Sequence, residues 1–229
     1  MDFCIYDPFL DASHPLSPQF STLEKVMQQD VVSIHTPLTT DGAFPTYHML
    51  DRPLLAGMKQ NAILINAARG EVLDNRMLAD LLTTRNDLQV ALDVWEHEPQ
   101  LHEALLHKAA IATPHIAGYS TNGKRNGTAW VCRQFCDYFG LEYRPPSEAD
   151  KPLTLAFAEQ GEPAAILNGI ILQAYPIDRD SRPEELIYRF DELRNGYVFR
   201  EEFPAFTLDT RKLPAALIEP LRVLGFRLR

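Results

Sequence analysis

The stretch Ala62-Ile63-Leu64-Ile65-Asn66-Ala67-Ala68-Arg69-Gly70 decides how the chain is read. It is a nearly continuous apolar run that stops at a guanidinium and a glycine. A strand wetted on one face alternates apolar and polar residues, whereas a strand covered on both faces reads as unbroken. Three further runs share the character: Val31-Val32-Ser33-Ile34-His35 before Thr36-Pro37, Leu88-Gln89-Val90-Ala91-Leu92-Asp93-Val94, and Ala110-Ile111-Ala112-Thr113-Pro114-His115. Helical patterns lie between them. Asp74 is a suitable N-cap, with Met77, Leu78, Leu81 and Leu82 at helical spacing. A longer helix is expected over residues 121–140, with Trp130, Phe135 and Phe139 on or near one face. Strands alternating with helices specify a doubly wound α/β sheet.

In such sheets ligands lie at the carboxyl ends of the strands. Asp7, Thr36, Arg69, Asp93 and His115 each end or follow a predicted strand. Asp7 closes Phe3-Cys4-Ile5-Tyr6-Asp7-Pro8, read as a further short apolar strand. In dinucleotide-binding folds a carboxylate there grips the adenosine ribose, about 20 residues after a glycine-rich phosphate loop. Only six residues precede Asp7, and no two of the eleven glycines stand two positions apart, so the sequence holds no Gly-x-Gly. The expectation is a chain that starts within a cofactor domain.

Arg69, past a buried strand, can take a carboxylate with two parallel hydrogen bonds and polarise an adjacent carbonyl. It could equally cap carbonyls or pair with a surface acid. Glu98 and His115 form the other candidate site. A carboxylate on one imidazole nitrogen fixes the tautomer and leaves the other nitrogen to exchange a proton with substrate. Taken singly, Glu98 also reads as one of three solvated acids in a loop, and His115 as a satisfied core histidine. Asp93 could accept from a nicotinamide carboxamide and Thr36 could contact the cofactor, although capping or turn roles are as economical for both. Gly118 and Tyr119 open the long helix, where backbone N–H groups could face an anion.

Bulk properties narrow the classes. The 229 residues can bury one large core or two modest ones, and 45% hydrophobic with 23% charged residues is ordinary for a globular protein. No apolar run approaches the roughly 20 residues that span a membrane, and the start lacks the basic and apolar regions of a signal peptide. A net charge of −9 argues against nucleic acid and leaves a small anionic substrate open. Three cysteines make no disulfide framework and suit a reducing cytoplasm. Cys132 and Cys136 read as core thiols rather than metal ligands. His97, His102 and His107 lack the spacing of a helical metal pair, so no metal is expected.

The proline- and charge-rich segment 143–152 reads as a linker. It would separate a cofactor and catalytic part, 1–142, from a small α+β domain, 153–229. That domain is predicted to hold a strand at 153–157 and helices at 164–174, 183–193 and 214–224.

Four blocks occur in order: Val32-Ser33-Ile34-His35-Thr36-Pro37-Leu38, Leu64-Ile65-Asn66-Ala67-Ala68-Arg69-Gly70, Leu92-Asp93-Val94-Trp95-Glu96 with Glu98-Pro99, and Thr113-Pro114-His115-Ile116-Ala117. Together they resemble the D-2-hydroxyacid dehydrogenase family. The resemblance implies NAD as cofactor and a Rossmann sheet. It implies active-site roles for Arg69 and Glu98, and a proton donor and acceptor at His115. It further implies NAD contacts from Asp7, Thr36, Asp93 and Gly118, and a substrate contact from Tyr119. Gly118-Tyr119, Gly123-Lys124, Gly127-Thr128, Leu193-Arg194-Asn195 and Tyr197 are similar to a branch of the family that acts on a small phosphorylated hydroxy acid. In that branch the tail is a dimerisation domain, which implies a homodimer through residues 153–229. The family's N-terminal substrate segment, first Rossmann strand and glycine loop have no counterpart in the sequence. The expected fold is therefore a partial doubly wound sheet, and the expected activity that of an impaired fragment. The rivals are a dehydrogenase of another D-2-hydroxy acid, such as a glycerate, and a non-catalytic binding or dimerisation protein on the same scaffold.

Overall fold

A computed structural model describes residues 2–145, 153–157 and 160–229. The chain forms two compact units: one runs to Ile116 and includes Asp180–Gly196, the other holds Ala117–Arg179 and Tyr197–Arg229.

In the first unit the order is α1 (Leu23–Met27), β1 (Val31–Ile34), α2 (Arg52–Ala56), β2 (Ile63–Asn66), α3 (Asn75–Leu81), β3 (Gln89–Leu92), α4 (Glu103–Leu106) and β4 (Ile111–Ala112). The strands form a parallel sheet in the order β1-β2-β3-β4, with Val32 beside Leu64 and Leu64 beside Val90. Val32, Ile34, Leu64, Val90 and Leu92 all point to one face and are buried with Leu55, Leu78, Leu105 and Leu106. Each such Leu contributes about 1.5–3 kcal/mol when fully buried. The apolar runs predict cover on both faces, but the structure covers only one fully. Val31 is 53% and Ile63 38% exposed on the other face. α3 starts where the sequence places it, with Met77 N donating to Asp74 Oδ1 at 2.8 Å. No described helix is long and apolar enough to cross a membrane.

Two expectations change here. Residues 3–7 do not form a strand. Ile5 makes a single parallel bridge to Phe20, and Phe3 is 53% exposed. The segment pairs with one short neighbour only, and among the described residues β1 is an edge of the sheet. The tail also does not stay in one body. The helix α7 (Pro183–Asn195) buries Leu186 and Phe190 in the core of the first unit. Just before it, Ser181 Oγ accepts from Ala112 N of β4 at 2.9 Å. Residues 146–152 of the expected linker lie outside the described residues.

The second unit holds α5 (Thr121–Phe139), β5 (Leu153–Thr154), α6 (Pro163–Ala174), β6 (Phe206–Leu208), α8 (Ala215–Val223) and β7 (Arg227–Leu228). β5, β6 and β7 make a parallel three-stranded sheet, of which the sequence foresaw only the first member. Ile166 and Ile170 of α6 pack with Leu217 and Leu221 of α8 against Phe206, Leu208 and Phe226. α5 is capped by Ser120 Oγ, which accepts from Gly123 N at 3.0 Å, and ends at Gly140 with φ 65°. No residue of α5 is buried.

Candidate active site

The site is built from the loops that follow β2, β3 and β4. At the end of β2, buried Asn66 folds the chain back on itself. Its Nδ2 donates to Arg69 O at 2.9 Å, and its Oδ1 accepts from Ala68 N at 3.1 Å. Gly70 then presses on the next loop so closely that an added Cβ would lie 2.0 Å from the carbonyl carbon of Trp95. Only glycine fits there. The Arg69 side chain is exposed at this strand end, with Nη1 donating to Ala68 O at 2.6 Å.

The loop after β3 and the loop after β4 are tied together by buried groups. Asp93 Oδ1 accepts from Thr113 Oγ1 at 2.6 Å and from Ile116 N at 2.8 Å. Trp95 Nε1 donates to Thr113 O at 3.0 Å. His115 lies between these anchors with φ 57°, a left-handed conformation that non-glycine residues rarely adopt. The anchors over-determine the loop and hold that backbone in place. Asp93 therefore has a structural task at the site, holding the histidine loop.

Glu98 completes the arrangement. Its Oε1 accepts from Trp95 N at 2.9 Å, and its Oε2 lies 2.8 Å from His115 Nδ1. A carboxylate only accepts, so Nδ1 carries the proton and Nε2 is the nitrogen left for exchange. The side chains of His115 and Glu98 are 28% and 18% exposed, reachable yet partly shielded from water. The structure thus brings Glu98 and His115 into contact, with Asp93 behind them and Arg69 on the neighbouring strand end.

Thr36 follows β1 with its Oγ1 buried and without a hydrogen-bond partner. Asp7 is exposed, and its Oδ1 accepts from Phe9 N at 3.0 Å within its own turn. Gly118 and Tyr119 belong to the second unit. A Cβ at Gly118 would meet nothing within 4 Å, and Tyr119 lies edge-on to Phe199 at 5.6 Å with Lys124 Nζ 4.9 Å from its ring. Among the described residues no three of His, Cys, Asp and Glu gather as a metal site.

Two features escaped the sequence reading. Glu96, assigned no role of its own from the sequence, is 8% exposed. Its Oε1 lies 2.6 Å from His48 Nε2, its Oε2 accepts from Asn75 N at 2.7 Å, and its own N–H donates to Asn75 Oδ1 at 3.1 Å. This network fixes the loop that carries Glu98. The available signal was Trp95-Glu96 following directly on an apolar strand. The second is Arg194 of α7, whose Nη1 stands 4.0 Å from Glu98 Oε2. Nothing in the sequence between them announces that proximity.

A parallel sheet with a carboxylate–imidazole pair and an arginine at its strand ends defines a dinucleotide-dependent dehydrogenase scaffold. Residues 1–117 match the family model of the D-isomer specific 2-hydroxyacid dehydrogenase NAD binding domain, so the chain belongs to that family, whose cofactor is NAD. It is 38% identical to an erythronate-4-phosphate dehydrogenase of Cellvibrio japonicus, over 99% of this chain and 64% of the relative. It is 39% identical to the enzyme of the same name from Stutzerimonas stutzeri, over 91% of this chain and 58% of the relative. The chain thus spans about six-tenths of the length of these relatives. Among solved structures, the holo form of Rhodotorula graminis D-mandelate dehydrogenase aligns with a TM-score of 0.50 and 27% identity, over 65% of this chain and 44% of that one.

Proposed function

We propose that this chain carries the acid–base residues for NAD-dependent oxidation of 4-phospho-D-erythronate to 2-oxo-3-hydroxy-4-phosphobutanoate, a step of pyridoxal phosphate (vitamin B6) biosynthesis. The observation that carries the reading is the 2.8 Å contact between His115 Nδ1 and Glu98 Oε2. It leaves Nε2 of His115 to take the proton from the C2 hydroxyl of the substrate. Glu98 stabilises the imidazolium that results, and the backbone N–H of Trp95 holds Glu98. Arg69 binds the substrate carboxylate and the carbonyl oxygen that develops at C2. Bound NAD supplies the acceptor for the hydride that leaves C2, so the substrate loses one proton and one hydride as its carbonyl forms. Thr36, Asp7, Asp93 and Gly118 are the residues assigned to hold NAD, and Tyr119 is assigned to the substrate. The unpartnered, buried Thr36 hydroxyl fits a group that brings a partner to the end of β1. Acid–base assistance of this kind is worth about 10²–10⁴ in rate.

The test is His115→Ala in a chimera whose cofactor half is completed from the Cellvibrio japonicus relative. Turnover of 4-phospho-D-erythronate is expected to fall by about 10²–10⁴ while NAD affinity changes little. Unchanged turnover overturns the assignment. Running D-glycerate alongside separates a phosphorylated from a plain substrate.

A second reading, a non-catalytic binding or dimerisation protein, is favoured by one observation: the sequence contains no Gly-x-Gly. The 229 residues by themselves are therefore expected to bind NAD weakly or not at all, and ordinary micromolar binding by calorimetry would contradict that. A homodimer through residues 153–229 is proposed on the likeness of the tail to the dimerisation domain of the branch that acts on a phosphorylated hydroxy acid. A cytoplasmic location fits the free thiols of Cys4, Cys132 and Cys136.

A further inference from the structure

The last turn of α7 reaches the catalytic pair from far along the chain. Leu186 and Phe190 are buried in the core that carries β1–β4, and Leu193 packs against it. The helix leaves regular geometry at Arg189 (φ −133°, ψ 24°), so its final turn is set off from the first two. That turn presents Arg194, with Nη1 4.0 Å from Glu98 Oε2 and Nε buried without a partner. An unpartnered buried N–H is costly. It persists here because helix packing, not a hydrogen bond at Nε, decides where the guanidinium lies.

Glu98 needs such a neighbour. Its terminal torsion is broad and roughly two-fold, and one oxygen is held by a single backbone N–H, that of Trp95. The carboxylate can pivot about that bond and leave the imidazole. A fixed positive charge on the Oε2 side, in a partly shielded setting, favours the orientation in which Oε2 faces both Arg194 and His115.

We propose that Arg194 is a positioning residue for the Glu98–His115 pair, so that docking of α7 holds the carboxylate on His115 Nδ1. The proposal rests on the acid–base role given to that pair above. It extends that role by making a helix from beyond the second unit's main segment part of the catalytic arrangement.

The test uses the 229-residue chain with ¹⁵N-labelled histidine at about pH 8, where an ordinary imidazole is neutral. The His115 signals are assigned by their loss in His115→Gln. Wild type is expected to show His115 with the proton on Nδ1. Arg194→Met, which keeps the packing of the stem, is expected to give a mixture of the two tautomers. Arg194→Lys is expected to restore the wild-type pattern. Arg189→Met, which removes only exposed ion pairs of the same helix, is expected to change nothing. The proposal is overturned if Arg194→Met keeps the wild-type tautomer, or if Arg189→Met disturbs it equally. It is also overturned if Arg194→Met keeps the tautomer but weakens binding of inorganic phosphate, which would make Arg194 an anion ligand. A wild-type His115 without a proton on Nδ1 would instead sink the acid–base reading itself, and the two failures are distinguishable.

Discussion

Gly70 shows how one side-chain hydrogen shapes the site. With Trp95 backbone atoms 2.0 and 2.1 Å from the place of a Cβ, Gly70→Ala must push two strand-end loops apart. The expected cost is roughly 1–3 kcal/mol, as for other overpacked interiors, with Arg69 displaced as well. Urea denaturation followed by tryptophan fluorescence measures it, and a variant as stable as wild type would show that the two loops yield without cost. The residue types at the site were legible in the sequence: an arginine past one strand, and an acid and a histidine past two others. Their partners were not. Asp93 reads as a cofactor ligand, and only the structure shows that its Oδ1 also binds Thr113 and Ile116. Glu96 shows no role in the sequence, and the structure closes Asn75 and His48 around it. Such contacts join residues distant in sequence, and no local spacing encodes them.

Elements are held in register by polar clamps as well as apolar faces. Arg85 binds Asp87 through Nε and Nη2 at 2.8 and 2.9 Å, and also donates to the carbonyls of Ala56, Met58 and Lys59. It thereby ties the end of α2 to the approach of β3. The hydrogen bond from Arg85 holds the Asp87 carboxyl at about 2, below its ordinary 3.8. A carboxyl lowered on folding stabilises the folded state fully above its ordinary value, and that contribution is lost as pH falls from 3.8 to about 2. Arg85→Met is therefore expected to flatten the dependence of the thermal midpoint on pH between about 5 and 2.5. An unchanged slope would assign acid sensitivity to other carboxylates.

α7 is the second element whose role exceeds its pattern. Its helical period was legible, and so were the strands β1 to β3 to within a residue or two, while β4 stops at Ala112, three residues short of its apolar run. Where α7 docks was not, because periodicity states which face is apolar and not which core receives it. Phe190→Ala is expected to cost about 3–5 kcal/mol of first-unit stability. Hydrogen exchange should show the loss in β3 and β4 rather than in β6, and the reverse would place α7 with the second unit.

At the scale of the whole molecule, the second unit displays a long helix with no buried residue. Trp130, Val131, Phe135, Tyr138 and Phe139 of α5 are each more than half exposed. Side chains of this size seldom cluster in water without a partner. If α5 contributes to the proposed homodimer, Phe135→Ser with Phe139→Ser shifts the sedimentation coefficient of the chain from dimer to monomer. Equal coefficients for variant and wild type would remove α5 from the interface.

The interleaving of the two units also governs how the protein can be made. Domains usually fold in the order in which they leave the ribosome. Here Leu186 and Phe190 complete the core begun by β1–β4, yet they emerge only after α5 and α6 have been synthesised. Until then the nascent sheet waits with an apolar hollow open beside α4. That interval is when a holding chaperone has the most to offer this chain.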